Sequence, residues 1–532
     1  MPAAFDWLRR LNACGVSRFQ WLRRLKVLMF ISLCFSSNLK PFQTTSNNLK
    51  PPQTILNHLT HFRPTQPSSH KTFRPSDKNF APKIKQTATA IGVSVTFLIP
   101  PYFNAVPLRQ FFEKEKSMNI LRKIWCRTYQ GAFHIAQPLL PYKDPVVKQS
   151  INDIPEILRK NNINNVIFVT DQGLVKAGMA KRIEDVLSGA GINFTTYADT
   201  VPNPTIENVE AVRKLYLEKG AQGFVSLGGG SAMDCAKGAA ARIARPNKQI
   251  PKMRGILKVH KKLPTIIAIP TTAGTGSEAT VTTVITDSKK NYKYPISDFC
   301  LIPPYAIHDY TLTTGLPQKM TSTTGMDALT HAVEAYIGGS LNKTSAANAE
   351  KATQLIHKYL YRAYTNGNDA EARQNMLEAS FRAGLAFSMS YVGYIHAVAH
   401  SLGGKYGTPH GLANSVLMPI ILREYGDCVY KKLARLARKS GVIDEGRSDE
   451  ETAKLFIAWI QEMNDKMGIP RTLSDIRDED IPEMAAYADA EANPTYPVPR
   501  LMDKKELEKL YRLGMVGNAD KKPSFRKTER AA

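Results

Sequence analysis

Short apolar segments alternate with helical segments across residues 119–310, and this alternation constrains the fold more than any other feature of the sequence. Four of the short segments are rich in β-branched or aromatic residues, as buried strands are: VIFVTD (166–171), NFTTYAD (193–199), GFVSLGGG (223–230) and TIIAIPTT (265–272). Helical patterns at 177–190 and 205–219 separate the first three. Strand–helix alternation predicts a parallel α/β sheet.

Strand-like segments stop at about residue 311, and long helical patterns follow. These patterns cover 325–336, 345–364, 371–387 and 450–467. A chain of 532 residues is too long for one simple domain. We therefore expect an α/β domain at 118–310 and a helical domain at 311–532.

Residues 1–117 differ in composition from the rest of the chain. They hold 17 Lys and Arg against 4 Asp and Glu, an excess of 13 out of the chain's net charge of +25. NLKPFQT at 38–44 recurs as NLKPPQT at 48–54, and Pro, Asn, Ser and Thr are frequent. Such a segment buries too little apolar surface to offset its ordering entropy. We predict a disordered or targeting extension, or upstream sequence outside a mature protein that starts at Met118.

Composition also excludes several classes of function. The basic charge outside residues 1–117 is spread thinly, without a dense Lys/Arg run interleaved with aromatic residues, so we expect no nucleic-acid partner. No apolar run reaches the ~18 residues that cross a bilayer, so we expect no transmembrane span. The six cysteines show no CxxC spacing, which favours a reducing, cytoplasmic location. Organellar targeting by residues 1–117 is the alternative.

Aspartate and histidine recur at helical spacing in the C-terminal half. Asp327 and His331 lie four apart in MDALTHAVEAY, and His396 and His400 lie four apart in YIHAVAHSLGGKYGTPHG, which also holds His410. Residues four apart share one face of a helix. A carboxylate with imidazoles and no thiolate suits a divalent first-row metal at a catalytic site. The alternatives are a helix cap for Asp327, a turn for His410 and a core position for His400.

Two loops in the N-terminal half have the composition of a nucleotide site. Strand GFVSL runs into GGGS (228–231) and a helix at 232–244, an arrangement in which backbone amides and a helix N-terminus approach a phosphate. IAIPTTAGTGSEAT (267–280) places hydroxyls directly after another strand. Asp171 ends the first predicted strand, where a carboxylate binds a ribose hydroxyl and repels the extra phosphate of NADP. Each feature by itself also fits an ordinary turn or helix cap, and Asp234 and Lys237, one turn apart on the helix at 232–244, would then simply pair on its surface.

Taken in order, GGGSAMDCAK, PTTAGTGSEAT, GMDALTHAVEAY and HAVAHSLGGKYGTPHG closely resemble the motifs of the iron-containing (group III) alcohol dehydrogenases over about 120–520. The resemblance implies an α/β N-terminal nucleotide-binding domain and an all-α C-terminal metal-binding domain, a dehydroquinate synthase-like fold. It implies NAD and Fe²⁺ as cofactors, with Zn²⁺ as the alternative metal. It further implies a small alcohol or aldehyde as substrate and a homo-oligomer, either a dimer or larger.

The resemblance also assigns roles to single residues. His400 takes the position of a histidine that lines the site, and we expect it to act as a catalytic proton relay. The positions of the four metal ligands are taken by Asp327, His331, His396 and His410. The positions of cofactor contacts are taken by Asp171, Asn203, Gly229, Gly230, Ser231, Asp234, Thr271, Thr272, Thr275 and Lys293.

We therefore expect a metal-dependent oxidoreductase that transfers hydride between NAD(H) and a small alcohol or aldehyde. The alternatives are a polyol dehydrogenase acting on glycerol or propanediol, and a lyase similar to dehydroquinate synthase. A basic arm attached to a degenerate enzyme core is an alternative from another class. Tyr394 stands where the family usually has a small apolar residue, so we also expect a narrower pocket.

Overall fold

The computed structural model of the chain describes residues 118–137, 140–289 and 292–516. The extension predicted at 1–117 lies outside the described residues. Within them, every strand falls between residues 146 and 307, and from 318 onwards the regular elements are all helical. This order agrees with the predicted α/β region followed by a helical region. Among the same residues, no helix is long and apolar enough to cross a membrane.

A six-stranded sheet forms the centre of the N-terminal half. The strands of the described residues are β1 (Val146–Lys148), β2 (Asn165–Val169), β3 (Asn193–Tyr197), β4 (Gly223–Gly228), β5 (Gly255–Ile256), β6 (Thr265–Pro270), β7 (Thr282–Asp287), β8 (Tyr292–Ser297) and β9 (Tyr305–Ile307). The main sheet has the order β1-β9-β6-β4-β2-β3, and all of its pairs are parallel. The four predicted strands are therefore confirmed as β2, β3, β4 and β6.

The order in which successive strands join this sheet changes side at β2. The chain passes from β2 to β3 on one side, and then returns to β4 on the other side of β2. In open parallel sheets, ligands bind outside the carboxyl ends of strands at such a switch point. Asp171 follows β2 and the GGGS loop follows β4, so both lie at this place.

A second, three-stranded sheet was not expected from the sequence. β7 and β8 pair antiparallel, and β5 pairs parallel with β8. Residues of β7 alternate between partly and fully buried, as one half-buried face requires. The hairpin matters for the site because Lys293 lies on β8.

Apart from short 3-10 turns, the other elements of the described residues are α-helices. In chain order they are α1 (Ile120–Ala136), α2 (Ile154–Lys160), α3 (Gln172–Lys176), α4 (Met179–Gly189), α5 (Ile206–Glu218), α6 (Gly230–Ala244), α7 (Gln318–Ile337), α8 (Lys343–Thr365), α9 (Ala370–Ser390), α10 (Tyr394–Tyr406), α11 (His410–Tyr425), α12 (Asp427–Lys439), α13 (Asp449–Lys466), α14 (Ile481–Ala492) and α15 (Lys504–Gly514). The helices predicted from periodicity correspond to α4–α9 and α13, with ends that differ by a few residues, most at the start of α7.

Helices cover both faces of the main sheet. On one face, Ile157 of α2 and Leu187 of α4 share a core with Phe168 of β2. On the other face, Val212 of α5 shares a core with Ile167 of the same strand. Neighbouring strand residues point to opposite faces, so β2 is buried on both sides. This burial explains why its sequence is an unbroken apolar run rather than an alternating one.

Lys237 of α6 is a fully buried cation that ties this helix to the β6–β7 connection. Five oxygen atoms of Ser277, Thr280 and Thr282 surround its Nζ at hydrogen-bond distance. Burial lowers the pKa of Lys237 to about 8, and the nearby charges of Asp234 and Glu278 oppose this shift. The ammonium group therefore stabilises the backbone between β6 and β7, next to the threonine loop.

We expect Lys237→Met to lower the free energy of unfolding by about 3 kcal/mol, because buried oxygen atoms and carboxylates lose their cation. Urea denaturation followed by far-UV circular dichroism measures this loss. Lys214→Met is the control, since Lys214 is exposed on α5 and pairs with Glu218 one turn away. Equal stability of the two variants would contradict the structural role of Lys237.

In the C-terminal half, α7 is the central helix, and it packs against α8, α9, α11 and α12. Every residue from 325 to 337 is buried. This buried stretch includes Asp327, His331 and Glu334, which lie on one face of the helix at positions i, i+4 and i+7. Buried polar side chains need partners, and their arrangement defines the candidate site.

Candidate active site

Four side chains from three helices converge at the centre of the helical half. Asp327 and His331 come from α7, His396 comes from α10, and His410 is the first residue of α11. One candidate ligand atom from each residue can be chosen so that all lie within 4.8 Å of one another. Oδ1 of Asp327 lies 4.0 Å from Nε2 of His396 and 3.6 Å from Nε2 of His410. The four residues predicted as metal ligands are therefore brought together.

Burial keeps the imidazoles of this group in their neutral form. It lowers the pKa of His331 to about 4, and it lowers the pKa of His396 and of His410 as well. A neutral imidazole has a lone pair that can bind a metal ion, whereas an imidazolium has none. Near neutral pH the group therefore offers three nitrogen ligands and one carboxylate.

The hydrogen-bond pattern fits a cation. Within the described residues, Nδ1 of His331, Nε2 of His396 and Nδ1 of His410 are buried without a hydrogen-bond partner. Buried polar atoms are almost always satisfied, so unsatisfied ring nitrogens on three residues of one group fit a donor set for a metal ion. Asp327 oxygen and imidazole nitrogen are donors that Fe²⁺ and Zn²⁺ both accept.

Glu334 holds His396 in place, and the sequence interpretation missed it. Its Oε2 lies 2.5 Å from Nδ1 of His396, and its Oε1 accepts a hydrogen bond from the backbone N–H of Ile395 at 2.8 Å. Burial raises the pKa of Glu334 above its usual range. A carboxylate that accepts the Nδ1–H of a histidine directs the other ring nitrogen towards a metal.

His400 lies beside the four-residue group without being part of it. Its ring stacks on that of His410, with 5.1 Å between centroids. Its Nδ1 lies 2.7 Å from Oε1 of Glu491, which also accepts a hydrogen bond from the hydroxyl of Tyr496 at 2.7 Å. Burial alone would raise the pKa of Glu491, but the charge and hydrogen bond of His400 and the hydrogen bond of Tyr496 lower it. Glu491 therefore orients the ring of His400.

The two nucleotide loops pack on each other at the carboxyl ends of β4 and β6. The backbone N–H of Thr271 donates to the carbonyl of Gly228 at 3.0 Å. A Cβ on Gly230 would lie 2.9 Å from the side chain of Thr275, so a larger residue here would force this side chain to move. The helix α6 begins at Gly230, and its first N–H groups and dipole make this a suitable place for a phosphate.

One cavity of about 460 Å³ joins the glycine loop to the histidine group. Of the predicted site residues, those on its wall are Asn203, Gly230, Ser231, Asp234, Thr275, Lys293, His331, His396, His400 and His410. Those that are not on its wall are Asp171, Gly229, Thr271, Thr272 and Asp327. The candidate hydride donor site and the candidate metal site therefore share one space.

Several side chains on the nucleotide side make contacts within the protein. Asp171 caps α3, because its Oδ1 accepts a hydrogen bond from the backbone N–H of Leu174 at 3.0 Å. A helix cap was one of the alternatives that the sequence left open for this residue. A Cβ built on Gly228 would lie 3.7 Å from Oδ2 of Asp171, so the carboxylate adjoins the glycine loop. Lys293 donates to Oδ1 of Asn203 at 2.8 Å on the cavity wall. Burial lowers the pKa of Lys293.

Two expectations about neighbouring residues are wrong. Asp234 and Lys237 do not form a surface pair, because both are buried and Asp234 instead accepts from Ser277 at 2.7 Å. Tyr394 does not narrow the pocket, because it is absent from the cavity wall. Its hydroxyl points into the core, where it donates towards Asn493 at 3.0 Å. Spacing along a helix could not reveal either direction.

Known proteins match both halves of the chain. A family model described as iron-containing alcohol dehydrogenase matches residues 146–310, and the model of the C-terminal part of the same family matches residues 321–515. Alcohol dehydrogenase 4 of Saccharomyces cerevisiae is 36% identical over 343 residues, which are 64% of this chain and 88% of that protein. The 1,3-propanediol dehydrogenase of Citrobacter freundii is 37% identical over 350 residues, 65% of this chain and 90% of that protein.

A solved structure agrees with these relatives. The alcohol dehydrogenase from Oenococcus oeni superposes with a TM-score of 0.67 at 33% sequence identity, covering 70% of this chain and 100% of that one. The family models, the relatives and the solved structure thus all indicate one family. The geometry agrees with it, because the histidine–aspartate group and the glycine loop adjoin one cavity. The chain belongs to the iron-containing alcohol dehydrogenase family, and it is an oxidoreductase that transfers hydride between NAD(H) and an alcohol or aldehyde.

Proposed function

We propose that this enzyme interconverts small alcohols and aldehydes at a divalent metal held by Asp327, His331, His396 and His410. The observation that carries the proposal is the shared cavity, which puts this ligand set and the glycine loop within reach of one bound substrate and cofactor. We propose Fe²⁺ as the metal on the basis of the family, with Zn²⁺ as the alternative, since nitrogen and oxygen donors suit both ions.

When bound, the cation would serve as a Lewis acid that lowers the pKa of an alcohol hydroxyl or polarises an aldehyde carbonyl. The residues around it position and desolvate the reacting groups. Phe387 stacks on His331 with 4.3 Å between ring centroids, so it shields one side of the ligand set from water. Glu334 and Glu491 fix the orientation of His396 and His400.

We propose that His400 accepts the hydroxyl proton during alcohol oxidation and returns it during aldehyde reduction. It lies on the cavity wall, and Glu491 engages its Nδ1, which leaves Nε2 as the atom that exchanges the proton. Its stacking on His410 supports this role, since it places the ring directly beside the ligand set.

NAD(H) would supply the hydride-carrying group, and the residues of the two loops would bind it. We propose that the N-terminus of α6, with Gly229, Gly230 and Ser231, binds the pyrophosphate. Thr271, Thr272 and Thr275 shape the adjoining loop, and the Lys293–Asn203 pair lies on the cavity wall between the loop and the histidines. Asp234 of α6 stabilises the loop after β6 and the strand β7, because it accepts hydrogen bonds from the hydroxyl of Ser277 and from the backbone N–H of Val284.

Purification without oxygen, followed by metal analysis and a substrate panel, tests the proposal. We expect one Fe²⁺ or Zn²⁺ per chain, and we expect NADH formation from short primary alcohols and NADH consumption with the matching aldehydes. Preference for glycerol or propanediol would favour the polyol dehydrogenase alternative. Metal-loaded protein that releases no NADH from any alcohol or diol would contradict the proposal and favour a lyase.

We expect Asp171→Gly to reduce the preference for NAD over NADP by about tenfold or more. The carboxylate adjoins the glycine loop and would repel the 2′-phosphate of NADP. The measurement is kcat/KM for each cofactor at saturating alcohol. Asp185→Gly is the control, since Asp185 lies on the exposed face of α4 and pairs with Lys181 one turn away. An unchanged cofactor ratio in Asp171→Gly would argue against the role of this residue.

We also propose a homo-oligomer and a cytoplasmic location, as the sequence predicts. The family supports the first, and cysteines without paired spacing support the second. Analytical ultracentrifugation tests the oligomer, and fractionation of the source cells tests the location.

A further inference from the structure

Helix α1 is an element that the two family models do not cover, because their matches begin at residue 146. It nevertheless contributes Tyr129 to the wall of the cavity that holds the histidine group. We propose that α1 sets the upper size of the substrate, through Tyr129 and through Tyr391, which it holds in place. The inference rests on the proposed alcohol–aldehyde activity and adds to it a limit on chain length.

Side chains of α1 fasten the two segments that form this part of the wall. Arg127 donates to the carbonyl of Val498 at 2.7 Å, and Gln130 donates to the carbonyl of Tyr496 at 2.7 Å. Gln137, which follows the helix, donates to the carbonyl of Met389 at the end of α9. These partners lie more than 250 residues away in the chain, so α1 joins the α9–α10 connection to the segment after α14.

Tyr391 stands in this wall with a backbone conformation that bulky residues rarely adopt. Its φ is +62°, and it follows the last residue of α9. Such a conformation costs free energy and persists where the surroundings enforce it, often at ligand sites. Phe133 of α1 packs edge-on against the ring of Tyr391, with 4.9 Å between centroids. The backbone N–H of Tyr391 donates to the carbonyl of Phe387 at 2.7 Å.

The rings of Tyr129, Tyr391 and Phe387 lie on the same cavity, and Phe387 stacks on His331 of the ligand set. Tyr391 follows Phe387 by four residues, just beyond the end of α9, so the aromatic wall begins at the candidate metal site and extends to α1. The whole cavity measures about 460 Å³, and a bound nicotinamide must share it. The space that remains for substrate is therefore small and bordered on this side by aromatic rings, which suits a short carbon chain.

Variants of Tyr129 in both directions of size test the inference. The assay measures kcat/KM for a series of primary alcohols from ethanol to 1-hexanol, and the result is the hexanol-to-ethanol ratio within each variant. We expect Tyr129→Ala to raise this ratio by about tenfold or more and Tyr129→Trp to lower it. Because each ratio is internal to one variant, a general loss of activity cancels. Ile124→Ala, on the exposed face of the same helix, is the matched control and should leave the ratio unchanged.

Ratios that stay within twofold of wild type in both Tyr129 variants would overturn the inference, as would an equal shift in Ile124→Ala. A second measurement separates this outcome from a failure of the proposed activity. Primary alkyl amides of increasing length are titrated against the enzyme–NADH complex, and binding is followed by NADH fluorescence. Even without alcohol turnover, Tyr129→Ala should bind the longer amides more tightly than wild type does, and an unchanged length dependence would overturn the inference.

Discussion

Replacing His410 with alanine is expected to remove the metal and to lower alcohol oxidation by about 10³-fold or more. The imidazole is one of the four proposed ligands, whose candidate atoms lie within 4.8 Å of one another, and its loss leaves only three of them. Loss of a Lewis acid removes several kcal/mol of transition-state stabilisation, and each 1.36 kcal/mol is a factor of ten in rate. Metal analysis and initial rates of NADH formation measure the two effects together.

Two further histidine variants make the result for His410→Ala specific. His400→Ala should keep the metal and lose about 10²-fold in rate, because His400 lies beside the ligand set and would act on the proton only. His357→Ala should change neither quantity, since His357 lies on α8 against Trp459. A His410→Ala protein that binds metal and turns over like wild type would contradict the ligand assignment.

Glu334→Gln is expected to weaken metal binding by about 10- to 100-fold without removing a ligand. The amide keeps the size of the carboxylate, but it no longer provides a charged acceptor for the Nδ1–H of His396. Activity should therefore fall at limiting metal and recover when Fe²⁺ is added in excess, which His410→Ala cannot do. Titration of the apoprotein with Fe²⁺ measures the shift in affinity.

Glu350→Gln is the matched control for this prediction. Glu350 lies on α8 and accepts a hydrogen bond from Tyr336 of α7 at 2.6 Å, so it contacts the same helix away from the ligands. We expect it to bind Fe²⁺ with wild-type affinity. If Glu334→Gln also showed wild-type affinity, the carboxylate would have no role in directing His396.

Helical spacing made much of the candidate site predictable. Asp327 with His331, and His396 with His400, each lie one turn apart, so local sequence was enough to place each pair on one face. The parallel sheet was equally predictable, because β2, β4 and β6 are apolar runs followed by polar loops. Both predictions depend on contacts within a few residues along the chain.

The partners of the ligands were harder to predict. Glu334 follows Asp327 by seven residues and His331 by three, so the same helical spacing contained a signal that was not used. Glu491 lies 91 residues from His400 and reaches it only through the packing of α14 on α10. No local pattern indicates that contact, because it depends on tertiary structure.

Elements that complete the cavity also carried weak sequence signals. The strands β7 and β8 are as long as β4 and β6, but β7 alternates between partly and fully buried residues and β8 contains Pro295, so neither is a continuous apolar run. Helix α1 has apolar residues on its exposed as well as its buried side, including Ile120 and Leu121. Such a helix lacks the clean stripe on which periodicity analysis depends. For Tyr394, the sequence showed where the residue lies in the motif, but it did not show that the side chain points into the core and away from the cavity.

Titration of metal-free enzyme with Fe²⁺ under anaerobic conditions tests the central claim most directly. NADH formation from a short primary alcohol is followed as the ion is added to wild type and to His410→Ala. The account predicts activity that rises linearly from near zero and stops rising at one equivalent of Fe²⁺ per chain in wild type, with no rise in His410→Ala. Full activity before any metal is added, or the same end point in the variant, would contradict it.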